Sequence, residues 1–239
     1  MSRISTARLT GVFYLGLAVA GIAGFGIIRS QLYVAGDPGA TLANLAGQAL
    51  LARLGVAADL TGVLAQALAA LWFYRLFRAE NGFAAGSIAV FGMVNAVVIL
   101  VATVFSSVAL AVAGSPALAP SGGQAATVQL LYQLNAAAWS LGGLFFGLWL
   151  IPMGFIVVTC RLMPALLGWV LMIGGAGYII STYAAQLLPG APAALEPALT
   201  AAATVGELWM IGYLLVFGVR PSVRPARSAD VGAAPASAS

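Results

Sequence analysis

FAAGSIAVFGMVNAVVILVATVFSSVALAVA, residues 83–113, carries no charged side chain and has one amide, Asn95, near its middle. About 20 apolar residues at 1.5 Å each cross the roughly 30 Å of hydrocarbon in a bilayer. This run is longer than that and lacks the polar stripe that a soluble helix turns to water. It reads as a membrane-spanning helix. Working outward, runs of the same kind occupy 9–28 and 54–76 before it and 127–159, 164–188 and 197–219 after it. Pro164 and Pro197 suit a first helical turn, where the missing N–H is no loss, and Pro221 suits a stop. The fourth run is too long for a straight perpendicular crossing, which predicts a tilt, an exposed first turn or a bend at Pro152. The expected fold is all-α: a single six-helix transmembrane bundle over 1–220, followed by a disordered cytoplasmic tail at 221–239 that is rich in Ala, Pro and Ser.

The rest of the chain agrees with that reading. Of 239 residues, 7% are charged and 62% hydrophobic, whereas a soluble domain draws about a quarter of its residues from Asp, Glu, Lys and Arg. There is too little charge to wet a surface. With no His and one Cys, the chain lacks the imidazoles or multiple thiolates that zinc, haem or iron–sulfur centres require, so neither a metal nor a cofactor is expected. Cys160 has no internal partner for a disulfide. All ten basic residues are Arg, scattered among apolar runs without a basic stripe, which argues against a nucleic-acid partner.

Those Arg residues set an orientation. If the N-terminus is inside, Arg3, Arg8, Arg75, Arg78, Arg161, Arg220, Arg224 and Arg227 are cytoplasmic, and Arg29 and Arg53 alone are outside. The bias predicts both termini in the cytoplasm of a bacterial cell and the chain in its cytoplasmic membrane. The first run, at about twenty apolar residues, exceeds the apolar core of a cleaved signal peptide and is expected to stay as a span. Between the first two spans, Gly36-Asp37-Pro38-Gly39 predicts a turn with Asp37 as a helix cap. A short amphipathic helix is expected to follow at 41–51 on the outer interface. Leu42, Leu45, Ala49 and Leu50 would form its apolar face, opposite Thr41, Asn44 and Gln48.

Inside hydrocarbon the informative residues are polar, because a charge at the centre of a span costs about 2.5–3.5 kcal/mol. Glu207 lies ten residues into the sixth run, roughly 15 Å deep at 1.5 Å per residue. It has to hold a proton or face a cation or water. Asp59 and Gln66 share a face of the second span. Asn95 lies mid-way along the third, Gln133 and Asn135 lie in the outer half of the fourth, and Ser181 and Thr182 in the outer part of the fifth. These residues all fall between the outer surface and the bilayer centre. They predict a polar cup open to the outside, lined by Asp59 and Glu207 and sealed toward the cytoplasm by Leu, Phe, Trp and Ala. Arg29 and Arg53 would mark its outer rim, where snorkelling to the interface is their simplest role; the alternative is that either caps the cup and meets an anionic ligand or lipid headgroup.

Gly143-x-x-x-Gly147 and Gly82-x-x-x-Gly86 have the spacing at which helix backbones approach closely. Neither a nucleophile elbow, a phosphate loop, a zinc-protease motif nor a dinucleotide fingerprint occurs in a fitting context. Five longer stretches carry a resemblance: ARLTGVFYLGL (7–17), GDPGAT (36–41), FFGLWLIPMGFIV (145–157), RLMPALLGWVLMIGGAGYIIST (161–182) and GELWM (206–210). Through them the chain resembles the bacterial membrane family known as domain of unknown function 4386 over about 7–219. The resemblance implies a multi-pass integral membrane protein without supplying an activity. Many members carry a histidine where Trp149 stands here, so no mechanism for this chain can rest on that imidazole.

Three readings of function follow. The first is a small binding or transport-related protein whose cup accepts a small or lipid-like ligand. A structural or accessory subunit, with Gly-rich faces that hold a partner helix or a second copy, is the second. The third is an intramembrane enzyme using Glu207 and Asp59 as acid and base on lipid. The missing nucleophile, metal cluster and phosphate motif weigh against an enzyme. Membrane lipid is a partner in every case.

Overall fold

The structure, a computed structural model, describes residues 2–120, 123–188 and 190–220. The expected tail at 221–239, with the Pro221 stop, Arg224 and Arg227, lies outside the described residues. Among those described there is no strand. The helices are α1 (Arg3–Leu32), α2 (Pro38–Gly47), α3 (Ala49–Phe77), α4 (Gly82–Gly114), α5 (Gln124–Cys160), α6 (Ala165–Leu187) and α7 (Leu195–Val216), with a short 3₁₀ turn at Pro116–Leu118. All but α2 are long and apolar enough to cross a membrane.

The helices outrun their apolar runs where polar groups can hold an extra turn. α1 starts at Arg3, well before residue 9, because the Ser2 hydroxyl caps the Ser5 N–H (3.1 Å) and Arg3 pairs with Glu80 at 2.6 Å. α2 starts earlier than expected because the Asp37 carboxylate accepts from the Ala40 N–H at 2.8 Å, with Pro38 at the first helical position. It also ends earlier, at the non-helical Gln48, so Ala49 and Leu50 belong to α3. Thr41, expected on the polar face of α2, is buried instead. Its hydroxyl satisfies the turn by bonding Val34 and the Asp37 carbonyl, while Leu45 is the buried apolar anchor and Leu50 is exposed. α5 runs through Pro152 as one helix, and Pro164 caps α6 from outside its first turn.

The six long helices pack as a ring in chain order, α1–α3–α4–α5–α6–α7, closed by α7 on α1. Glycine sets the spacing on one side. A Cβ at Gly175 would stand 2.7 Å from the Gly147 carbonyl, and one at Gly168 would stand 2.6 Å from the Gly154 carbonyl. Two glycine pairs, seven residues apart on each antiparallel helix, thus let α5 and α6 touch backbone to backbone. Gly174 and Gly177 do the same for α6 against Ala203 and Leu199 of α7. The centre is filled by Trp149, wholly buried, with Tyr14, Phe73 and Phe146 set edge-on around it at 5.3, 5.8 and 6.0 Å between ring centres. A smaller core of Leu32, Leu45, Ala52, Val112, Val128 and Tyr132 closes the end that carries α2.

The outside is apolar all round. Val19, Leu64, Val90, Leu141, Ile173 and Val205, one from each long helix, are each more than half exposed. A soluble bundle would leave polar side chains there, whereas lipid accepts these. The two ends differ in charge. Gly218 lies against Ile4 and Ala7, and the Arg220 N–H bonds the Leu162 carbonyl at 3.0 Å, so both ends of the described chain lie together. Arg3, Arg8, Arg75, Arg78, Arg161 and Arg220 follow that end of the helices, and Arg29 and Arg53 the other.

Candidate functional site: two cavities meeting at Arg29

At the end opposite the termini, the ring of helices opens into a cavity of about 650 Å³. Phe25, Tyr33, Trp139, Phe146 and Tyr178 form its aromatic walls, and Asn95, Ser140, Ser181, Thr182, Glu196 and Arg29 supply its polar groups. Beside it lies a pocket of about 30 Å³, space for about one water, between α1, α3, α4 and α5. That pocket is lined by Asp59, Asn135, Ser106 and Tyr132 and shares Phe25, Trp139 and Arg29 with the larger cavity.

Arg29, which lines both spaces, follows directly on an irregular stretch of α1. Ile22–Ile28 is π-helical, a rare local widening found most often at functional sites. Gly24 in this segment fits against α3, where a Cβ would meet the Asp59 carboxylate at 2.5 Å. The Arg29 guanidinium donates to the Asn135 side-chain oxygen and to the Tyr132 carbonyl, the latter at 3.3 Å. It sits 5.2, 5.5 and 6.0 Å from the ring centres of Phe25, Tyr33 and Tyr132. Asn135 is locked in turn, donating to the Ala102 carbonyl at 2.7 Å and to the Ser106 hydroxyl at 2.9 Å. Asp59 is half-buried and forms no hydrogen bond among the described residues, and its charge is felt by Arg29 without a closed ion pair.

The two carboxylates expected to share one cup do not meet. Asp59 lines the small pocket, while Glu207 lines neither space. Glu207 sits where α7 packs on α1, and Tyr14 donates to it at 2.6 Å. With that bond present, Tyr14→Phe is expected to cost about 1–3 kcal/mol, the range for leaving a buried polar group without its partner. Glu207→Gln keeps an acceptor and is expected to cost less. Thermal unfolding in detergent checks the order, and equal losses would remove the Tyr14 bond as the reason Glu207 is held.

The other expected residues divide. Asn95 and Thr182 line the large cavity, and Asn135 the small one. Gln133 and Arg53 are exposed and line neither; Gly36 (φ +77°) and Asp37 build the turn before α2 away from both. Arg29 lines both cavities. Gln66 is wholly buried, and both its amide atoms, with the Asn95 amide nitrogen and the Trp149 ring N–H, have no partner among the described residues. Gly92 separates them; a Cβ there would be 3.2 Å from the Gln66 amide nitrogen and 3.1 Å from the Trp149 ring. Replacing Gln66 by Met removes two unpaired buried polar atoms at similar volume, so stability is expected to stay equal or rise by up to about 2 kcal/mol. A clear fall in the unfolding temperature would mean that ordered water completes this seam.

Tyr14, Glu196, Ser106 and the aromatic rings around Arg29 were not legible as site residues. Aromatics in an apolar span look like packing, and Glu196 falls just outside the apolar run that starts at Pro197. The family described as "Domain of unknown function (DUF4386)" matches residues 9–218. No curated protein and no solved structure matches the chain.

Proposed function

The chain belongs to the DUF4386 family, and from its cavity we propose that it binds a small amphipathic or lipid-like molecule as a multi-pass protein of the bacterial cytoplasmic membrane. One observation carries the reading: a space of about 650 Å³, aromatic-walled with a few convergent polar groups. Small-molecule sites have that size and lining. The Arg bias supports cytoplasmic termini, which makes the cavity face outward. Asp59 acts beside this site through Arg29, Asn135 holds Arg29 from the small pocket, and Asn95 and Thr182 act as polar contacts of the cavity, whereas Glu207 fastens α7 to α1. An acid–base enzyme needs both carboxylates at one substrate, and these two serve different interfaces.

The test is native mass spectrometry of the full chain released from nanodiscs, compared with Ala136→Phe, which places a ring in the cavity wall. A retained mass that is lost in the filled variant supports binding. Equal retention by both proteins, or none by either, overturns it. A second reading keeps one specific support: Cβ atoms at Gly82 and Gly86 would meet nothing within 4 Å among the described residues, which leaves this glycine face for a partner helix.

A further inference from the structure

We propose that Arg29 is the headgroup receptor of the large cavity, and that the ligand is an anionic amphiphile: one carboxylate or phosphate monoester on an apolar body. This rests on the binding reading above and specifies its chemistry. Among the described residues, Arg29 is the one basic residue lining either cavity. A guanidinium has five N–H donors in a planar fork that fits carboxylate and phosphate oxygens. The described residues accept at Asn135 and Tyr132 only. Its Nε–H has no partner among the described residues and is not sealed in protein, and the residue lines both cavities.

Its surroundings hold the fork still and leave it open. Phe25, Tyr33 and Tyr132 surround the guanidinium, and Tyr33 and Tyr132 are themselves stacked, 5.3 Å apart and 6° from parallel. Asp59 supplies a counter-charge from the small pocket without closing an ion pair, so the charge is balanced while the donors stay available. A residue needed only for topology would reach the interface, where its hydration is retained; this one bonds Asn135 and Tyr132 within the bundle. Behind the headgroup position the cavity continues along Trp139, Phe146 and Tyr178, which suits an apolar body. Glu196 also lines the cavity but is exposed at the first turn of α7, where water screens it.

The experiment is equilibrium binding to the full chain in nanodiscs of zwitterionic lipid. Labelled dodecanoate and dodecyl phosphate serve as anionic probes, dodecanol as the neutral one and dodecyltrimethylammonium as the cationic one; acetate and inorganic phosphate serve as heads without a tail. Both anionic amphiphiles are expected to bind at least 10-fold tighter than the alcohol, and the ammonium and the tail-less heads not measurably. If one anionic head alone binds, it identifies the carboxylate or the phosphate source. Arg29→Lys keeps the charge that balances Asp59 but loses the fork, and is expected to weaken the anionic probes several-fold. The double variant Arg29→Gln with Asp59→Asn removes both charges together and is expected to abolish the anion preference while leaving dodecanol binding unchanged. Equal binding of alcohol and anions, unaltered in both variants, overturns the Arg29 role and leaves the cavity reading standing. Binding of inorganic phosphate or acetate as tight as that of their amphiphiles overturns the amphiphile. Failure of every amphiphile to bind overturns both.

Discussion

Gly175→Val is expected to abolish recovery of folded, monodisperse protein, while Gly86→Val is expected to leave it unchanged. Both glycines lie in apolar spans and neither substitution alters charge. They differ in what a side chain would meet: at Gly175, the Gly147 carbonyl at 2.7 Å, Ile151 at 2.9 Å and Leu150 at 3.2 Å; at Gly86, nothing within 4 Å. Overpacking a core costs about 1–3 kcal/mol when neighbouring side chains can shift. Here the nearest neighbour is backbone, so α5 and α6 have to separate along their length and the Gly154–Gly168 contact goes too. Size-exclusion chromatography and thermal unfolding in detergent check the contrast. A folded Gly175→Val protein would remove the glycine ladder as the feature that sets this interface. A shift of the Gly86 variant to a smaller assembly would instead favour the partner-helix reading.

The same two glycine motifs show where sequence reading stops. GxxxG at 143–147 and at 82–86 look alike in the chain, yet Gly143 and Gly147 are spent inside the bundle against Thr182 and Gly175, and Gly82 and Gly86 meet none of the described residues. Spacing shows that a face can be approached; it carries no address for the partner. The six spans were legible because the cost of unpaired backbone in hydrocarbon forces each apolar run of this length into a helix. Their ends were less so. They depend on single polar bonds such as Ser2 to Ser5 and Asp37 to Ala40, and these extend helices beyond the apolar run.

The polar residues were legible as a depth and not as an arrangement. Asp59, Asn95, Asn135, Thr182 and Glu207 stood out because polar groups are costly within a span, and each is indeed engaged in a cavity or a buried bond. Rotation about each helix axis, which decides whether two of them meet, depends on packing that one sequence does not display. Tyr14 meets Glu207 at the α1–α7 interface, and Arg29, directly after a π-helical segment with no distinct composition beyond Gly24 and Gly26, lines both cavities. The motif RLMPALLGWVLMIGGAGYIIST acquires a physical meaning in the same way. Its Gly168, Gly174, Gly175 and Gly177 are the positions where α6 touches its two neighbours, so this part of the resemblance reports packing.

Arg29→Gln is expected to destabilise the protein by about 3 kcal/mol, and adding Asp59→Asn is expected to restore the part of that loss that comes from the uncompensated charge. Removing one member of a buried charge pair leaves the other uncompensated, at a cost of about 3–5 kcal/mol, more than removing both. The pair is loose here: no ion pair closes between them, and the space of about 30 Å³ beside them admits about one water, so the lower end of that range applies. The reverse single variant, Asp59→Asn, should be milder. Arg29 keeps the Asn135 and Tyr132 oxygens and three aromatic rings, whereas Asp59 has no hydrogen-bond donor among the described residues and depends on Arg29 alone. Thermal unfolding of the four proteins in one detergent gives the complete cycle. Additive single losses, with no recovery in the double variant, would show that the two charges do not sense one another, and Asp59 would then need another partner to explain its place within a span.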